Sequence, residues 1–166
     1  MDTEAFTGLV HEHADAVRAF IWRRAGGLDV AVSTPDDIHS EVWAVAWQRR
    51  LTAPDVANSA ACRAWLLQIS RHLIANHIRK TVGHRATDRL LRPAEVLAAS
   101  AEAIAVADLE LQRAIASLQP AEREALALSI WEGLTPKQIA VVTNSSANAV
   151  SIRLHRARKK LSAALG

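Results

Sequence analysis

The chain has 166 residues, half of them hydrophobic, with 20 Lys and Arg against 17 Asp and Glu, a net charge of +3. One cysteine, Cys62, excludes an internal disulfide and suits a reducing compartment. No basic-then-apolar leader and no apolar run of membrane-spanning length occurs, so a soluble cytoplasmic protein without a membrane partner is expected.

The charge is unevenly placed. Residues 1–62 hold five basic and nine acidic side chains, and residues 63–92 hold seven and one. Residues 93–132 hold two and seven, and residues 133–166 hold six and none. Two cationic blocks, each preceded by an acidic one, suggest two separate contacts with a polyanion. The acidic blocks then suit a different, basic protein surface.

Residues 2–25 read as a first helix, with Leu9, Val17 and Phe20 central to its apolar spacing and Gly26-Gly27 as its stop. His11 and His13 lie two apart and face different sides of a helix, so they form no metal pair. A second helix starts at Thr34 as cap and Pro35 as first residue, with Asp36 and Asp37 favoured by the helix dipole. Ile38, Val42, Val45 and Ala46 are its stripe, and Asp37, Ser40 and Glu41 line another side. Residues 51–61 read as a loop from their Pro, Asn and Ser content. Residues 62–80 form a third helix. Trp65, Leu66, Ile69, Leu73 and Ile78 are its core set, and Arg63, Arg71, Asn76, Arg79 and Lys80 its polar, mostly cationic one.

From Thr81 to about Ala105 the composition turns to Ala, Ser, Gly and scattered charge, which reads as a flexible linker. Residues 106–118 are amphipathic, and Gln119-Pro120 opens the next helix. Thr135, Pro136 and Gln138 then make a capping box. Thr-Asn-Ser-Ser at 143–146 breaks that helix, with Asn144 able to turn left-handed and Ser146 able to cap a second helix. In this last helix Val150, Leu154, Ala157, Leu161 and Leu165 recur at threes and fours. Its opposite side holds Asn148, Ser151, His155, Arg156, Lys159 and Lys160. Two helices, a tight turn and a basic second helix describe a helix-turn-helix that enters a DNA major groove. There is no phosphate loop, metal-ligand spacing or nucleophile–base pairing, so neither catalytic residues nor a cofactor are expected.

The stretch EGLTPKQIAVVTNSSANAVSIRLHRARKKL resembles region 4 of the sigma-70 family, with Gly133, Leu134, Ile139, Ala140, Ser146, Val150, Arg153, Leu154, Arg156, Ala157, Arg158 and Leu161 on its pattern. PDDIHSEVWAVAW resembles region 2.2 through Asp37, Glu41, Val42, Ala46 and Trp47. CRAWLLQISRHLIANHIRK is similar to the region 2.3–2.4 helix. That order is the layout of extracytoplasmic-function (ECF) sigma factors. Ser40, Asn76, Ser145 and Ser151 depart from the family's usual residues.

The resemblance implies an all-α chain of two small helical domains: region 2 over 1–81, a linker over 82–105, and a helix-turn-helix or winged-helix-like region 4 over 106–166. It implies that Asp37, Ser40 and Glu41 meet the β′ clamp helices of core RNA polymerase. It assigns the promoter −10 element to Arg63, Arg71, Asn76, Arg79 and Lys80, with the loop Asp55–Ser59 before them. The −35 element falls to Asn148, Ser151, Ile152, Arg153, His155, Arg156, Arg158 and Lys159. Further implied partners are the β flap and an anti-sigma factor. A DNA-binding regulator that never engages polymerase is the alternative; it would not need the acidic side of the second helix.

Overall fold

Capping side chains set where these helices begin. Asp2 accepts the Ala5 N–H at 2.9 Å and opens α1 (Thr3–Ala25). Thr34 and Asp37 form a reciprocal box at the start of α2 (Pro35–Gln48): the Asp37 N–H donates to Thr34 Oγ1 at 3.1 Å, and the Thr34 N–H donates to Asp37 Oδ2 at 2.8 Å. Asn58 accepts the Ala61 N–H at 3.1 Å and opens α3 (Ser59–Leu90), three residues before the start expected from sequence. In this computed structural model residues 1–25, 34–90 and 109–165 are described, and they contain helices and no strand. The β wing of a winged helix is therefore absent among the described residues. Gly26-Gly27 lies outside them.

Chain contacts divide the molecule into Met1–Thr87 with Val141–Asn144, and Asp88–Ala140 with Ser145–Gly166. In the first unit α1 supplies Leu9, Val17, Phe20 and Ile21, and α2 supplies Ile38, Val42 and Ala46. α3 supplies Cys62, Trp65, Leu66, Leu67, Ile69, Leu73 and Ile78. Trp65 is core, as its place in the apolar set suggests. α3 continues ten residues past Lys80, through part of the expected linker. Gly83 is the only strong breaker there, and one glycine costs a helix only about 1 kcal/mol. The rest of that linker, from 91 on, lies outside the described residues.

In the second unit α4 (Leu109–Ala116) leads to α5 (Pro120–Ile130). The buried Arg123 guanidinium donates to Leu118 O at 2.7 Å and Ala116 O at 3.3 Å, satisfying carbonyls that the end of α4 leaves open. Gly133, at φ +62°, then turns the chain into α6 (Pro136–Thr143). Thr135 and Gln138 form the expected box, with Thr135 N–H to Gln138 Oε1 at 2.8 Å. Asn144 is left-handed at φ +50°. Around it the Ser145 N–H reaches Ala140 O at 2.9 Å and the Asn144 N–H reaches Val141 O at 3.3 Å, the two bonds of a Schellman cap. Ser146 accepts the Ala149 N–H at 3.1 Å and opens α7 (Ala147–Leu165). Leu118, Leu126 and Ala157 pack together with Leu161, so α7 lies on the elements before it through one side.

Candidate nucleic-acid interface

The one-sided packing of α7 decides what its other side can do. Val150, Leu154 and Ala157 are buried, and at roughly 100° per residue they mark one narrow arc. Asn148, Ser151, Ile152, His155, Arg156, Arg158 and Lys159 are all exposed on the remaining surface. Ile152 is 43% exposed, a large apolar side chain amid polar ones. Arg153 is the exception among the eight expected residues. It is half-buried, and its Nη1 lies 3.4 Å from Ser145 Oγ, back toward the turn. Lys160, part of the expected basic face, is also drawn inward: its Nζ is 2.6 Å from Glu122 Oε2.

Glu122 is the residue that sequence reasoning missed. Its side chain is 6% exposed, and Oε2 also accepts the Gln119 N–H at 2.9 Å. Burial alone would raise its pKa. The Lys160 and Gln119 hydrogen bonds and the charges of Lys160 and Arg156 outweigh that, so the carboxyl sits below its ordinary value. The spacing Gln119-x-x-Glu122 at a helix start carried a signal for the backbone half of this contact. Nothing in sequence marked the 38-residue reach to Lys160.

α3 treats its expected residues differently. Arg63, Arg71 and Asn76 are half-buried, and Arg79 and Lys80 are exposed. Arg63 and Arg79 lie about 160° apart around the helix, so they share no face. Arg63 is near the buried His13 of α1, and together with burial its charge lowers the His13 pKa against the opposing pull of Glu12. Arg79 donates to Asn76 Oδ1. The loop ahead of α3 is tied at both ends. The Asn58 N–H reaches Asp55 O at 2.9 Å, and Ser59 Oγ donates to Glu12 of α1. Cys62 lies beneath it with Sγ 3.4 Å from Asp55 O, and burial together with Glu12 and Asp55 pushes its thiol pKa up.

On α2, Asp37 and Ser40 are exposed and Glu41 is half-exposed. Asp37 Oδ2 is engaged by the Thr34 N–H and hydroxyl, each at 2.8 Å. Those bonds, the backbone one foremost, hold its pKa below the ordinary value, with the His77 charge adding to them. Ser40 Oγ donates to Asp36 O at 3.0 Å. Glu41 Oε2 is 2.6 Å from His77 Nε2 on α3. No cluster of three or more metal-ligating side chains occurs among the described residues.

A chain described as an ECF RNA polymerase sigma factor, SigC of Mycobacterium tuberculosis, is 33% identical over 96% of this chain and 91% of its own length. This chain belongs to the ECF RNA polymerase sigma factors. The model of sigma-70 region 4 matches residues 108–161 of this sigma factor. BldN of Streptomyces coelicolor, also an ECF RNA polymerase sigma factor, is 26% identical over 96% of the chain and 60% of its own length. Among solved structures, CnrH in complex with the cytosolic domain of CnrY matches with a TM-score of 0.58 at 26% identity, over 99% of this chain and 89% of that one. RpoE of Bartonella quintana, in complex with the anti-sigma factor NepR, shares the fold with a TM-score of 0.59 at 20% identity, over 96% of both chains. The stretch α4–α7 of this sigma factor thus carries its region 4, and α7 is the second helix of the helix-turn-helix.

Proposed function

We propose that this sigma factor binds core RNA polymerase through α2, holds the −10 element on α3 and the loop before it, and reads the −35 element with α7. The observation that carries the reading is the exposed arc of α7, where seven of the eight residues expected there face outward together. Phosphate contacts from Arg158 and Lys159 would fix register. Asn148, His155 and Arg156 would reach base edges, and Ile152 would touch a thymine methyl. Arg153 supports the turn from behind through Ser145 and is a weaker candidate for a base contact.

The boundaries proposed for the working modules are 1–81 and 106–166, joined by 82–105. The chain carries out no chemistry itself. It lowers the cost of melting by holding unpaired bases, which offsets a few kcal/mol of unstacking per step. It acts in the cytoplasm, and among the described residues no helix is long and apolar enough to cross a membrane. An anti-sigma factor is a further proposed partner, since RpoE is bound to the anti-sigma factor NepR and CnrH to the cytosolic domain of CnrY.

Reconstituted transcription tests this. Core polymerase with the full chain should open and transcribe a matched promoter, and core alone should not. A chain that binds duplex DNA yet adds no promoter-dependent transcription would refute the reading and favour the regulator that ignores polymerase.

A further inference from the structure

Of the three carboxylates of α2, Asp36 pairs with Arg18 of α1 at 3.2 Å, and Asp37 is tied to its own helix start. Its Oδ2 caps the helix through both the N–H and the hydroxyl of Thr34. Glu41, one turn later, is instead held from another helix. His77 Nε2 on α3 lies 2.6 Å from Glu41 Oε2. The His77 side chain is 16% exposed and that of Glu41 is 44% exposed, so the bond is rooted in the protein and its acceptor reaches the surface.

The bond needs a hydrogen on Nε2. The imidazolium and one neutral tautomer both provide it. Asp37 on α2 also feels the His77 charge. His77 therefore bonds to Glu41 and acts on Asp37 through its charge. A glutamate fixed through one oxygen before binding loses less side-chain freedom when its other oxygen meets a cation.

We propose that His77 is a positioning residue for the polymerase contact: it fixes the Glu41 carboxylate on α2 so that Oε1 is presented to a cationic side chain of core RNA polymerase. The inference rests on α2 being the polymerase-binding face. It also joins that face to α3, since the same helix carries Asn76, Arg79 and Lys80.

The test is a binding cycle on the full chain with core polymerase, with thermal unfolding measured on each variant. His77→Leu keeps bulk and removes the donor, and His77→Gln restores an N–H near the Nε2 position. His77→Leu should weaken core binding by roughly five- to tenfold, a size typical of coupling within one hydrogen-bonded network. His77→Gln should recover most of that loss. In a Glu41→Gln background His77→Leu should cost less than twofold more. Unchanged or tighter binding by His77→Leu would overturn the proposal, the latter because His77 would then be competing for Glu41. An equal loss in both backgrounds, or no recovery with Gln at matched thermal stability, would overturn it too. If Glu41→Gln itself leaves core binding unchanged, the assignment of α2 fails and takes this inference with it.

Discussion

α7 and α3 are both long, basic helices with a role expected on DNA, yet they present their charges in opposite ways. On α7 the buried residues fall on one arc and the expected contacts fall on the other. On α3 the consecutive residues Ala64, Trp65, Leu66 and Leu67 are all buried, which needs neighbours on more than one side. α1 reaches α3 through Glu12 and Ser59, and α2 reaches it through Glu41 and His77. A helix packed on one side advertises its free face. A helix flanked by two others has cations that serve packing as well as binding, and their arc cannot be read from spacing.

The largest effect expected is on α2. Reversing Asp37 and Glu41 together to Lys should abolish promoter-dependent transcription with core polymerase, because the two carboxylates proposed to face a basic partner become two repulsive charges. Binding of the full chain to duplex DNA should survive. If DNA binding and transcription fell together, the separation drawn between α2 and the DNA-facing helices would be broken.

The next test compares the two basic helices directly. Arg156→Ala on α7 should cost about 1–3 kcal/mol of −35 binding if it contacts a base edge, with selectivity among −35 sequences reduced. Lys159→Ala should weaken all sequences alike and lower the salt slope by about one. Arg63→Ala on α3 should show mainly as lost thermal stability, since the side chain is half-buried beside His13. A purely DNA-binding phenotype for Arg63→Ala would erase the contrast between the helices.

Glu122 sharpens the comparison from within region 4. Glu122→Leu removes the acceptor that both Lys160 and the Gln119 N–H use, and about 1–3 kcal/mol of stability should go with it. Thermal unfolding reads this, and −35 affinity should fall no further than the unfolded fraction requires.

His13 gives the first unit a pH signature of its own. Burial holds its pKa below the ordinary value of 6.5, so the unfolded chain takes up the proton first as pH falls. Stability is therefore lost as pH drops below about 6.5 toward the lowered folded value. His13→Leu should flatten that acid-side slope in unfolding curves measured at several pH values.

Much of the fold was legible in the chain. The starts of α2, α6 and α7 came from Thr, Pro and Ser, because capping is a contact between near neighbours in sequence. The exposed arc of α7 was legible for the same reason, since a single period of 3.6 governed it. The pairs Glu12–Ser59, Glu41–His77 and Glu122–Lys160 were not, being contacts between helices distant in sequence. The end of α3 was missed for another reason. Composition suggested a linker, and one glycine was too weak to stop a helix already several turns long.

The smallest effect expected is at the turn that joins α6 to α7, and it tests the local rule most cleanly. Asn144 is left-handed and closes a two-bond cap, so its side chain matters less than its backbone. Asn144→Ala should cost about 1 kcal/mol, because a Cβ without a polar group gains nothing in that conformation. Asn144→Gly should be neutral or stabilise by a few tenths, relief of the Cβ crowding being opposed by a more flexible unfolded chain. Equal losses for Ala and Gly in thermal unfolding would mean that the amide side chain makes a contact that matters, and that the turn depends on more than its φ angle.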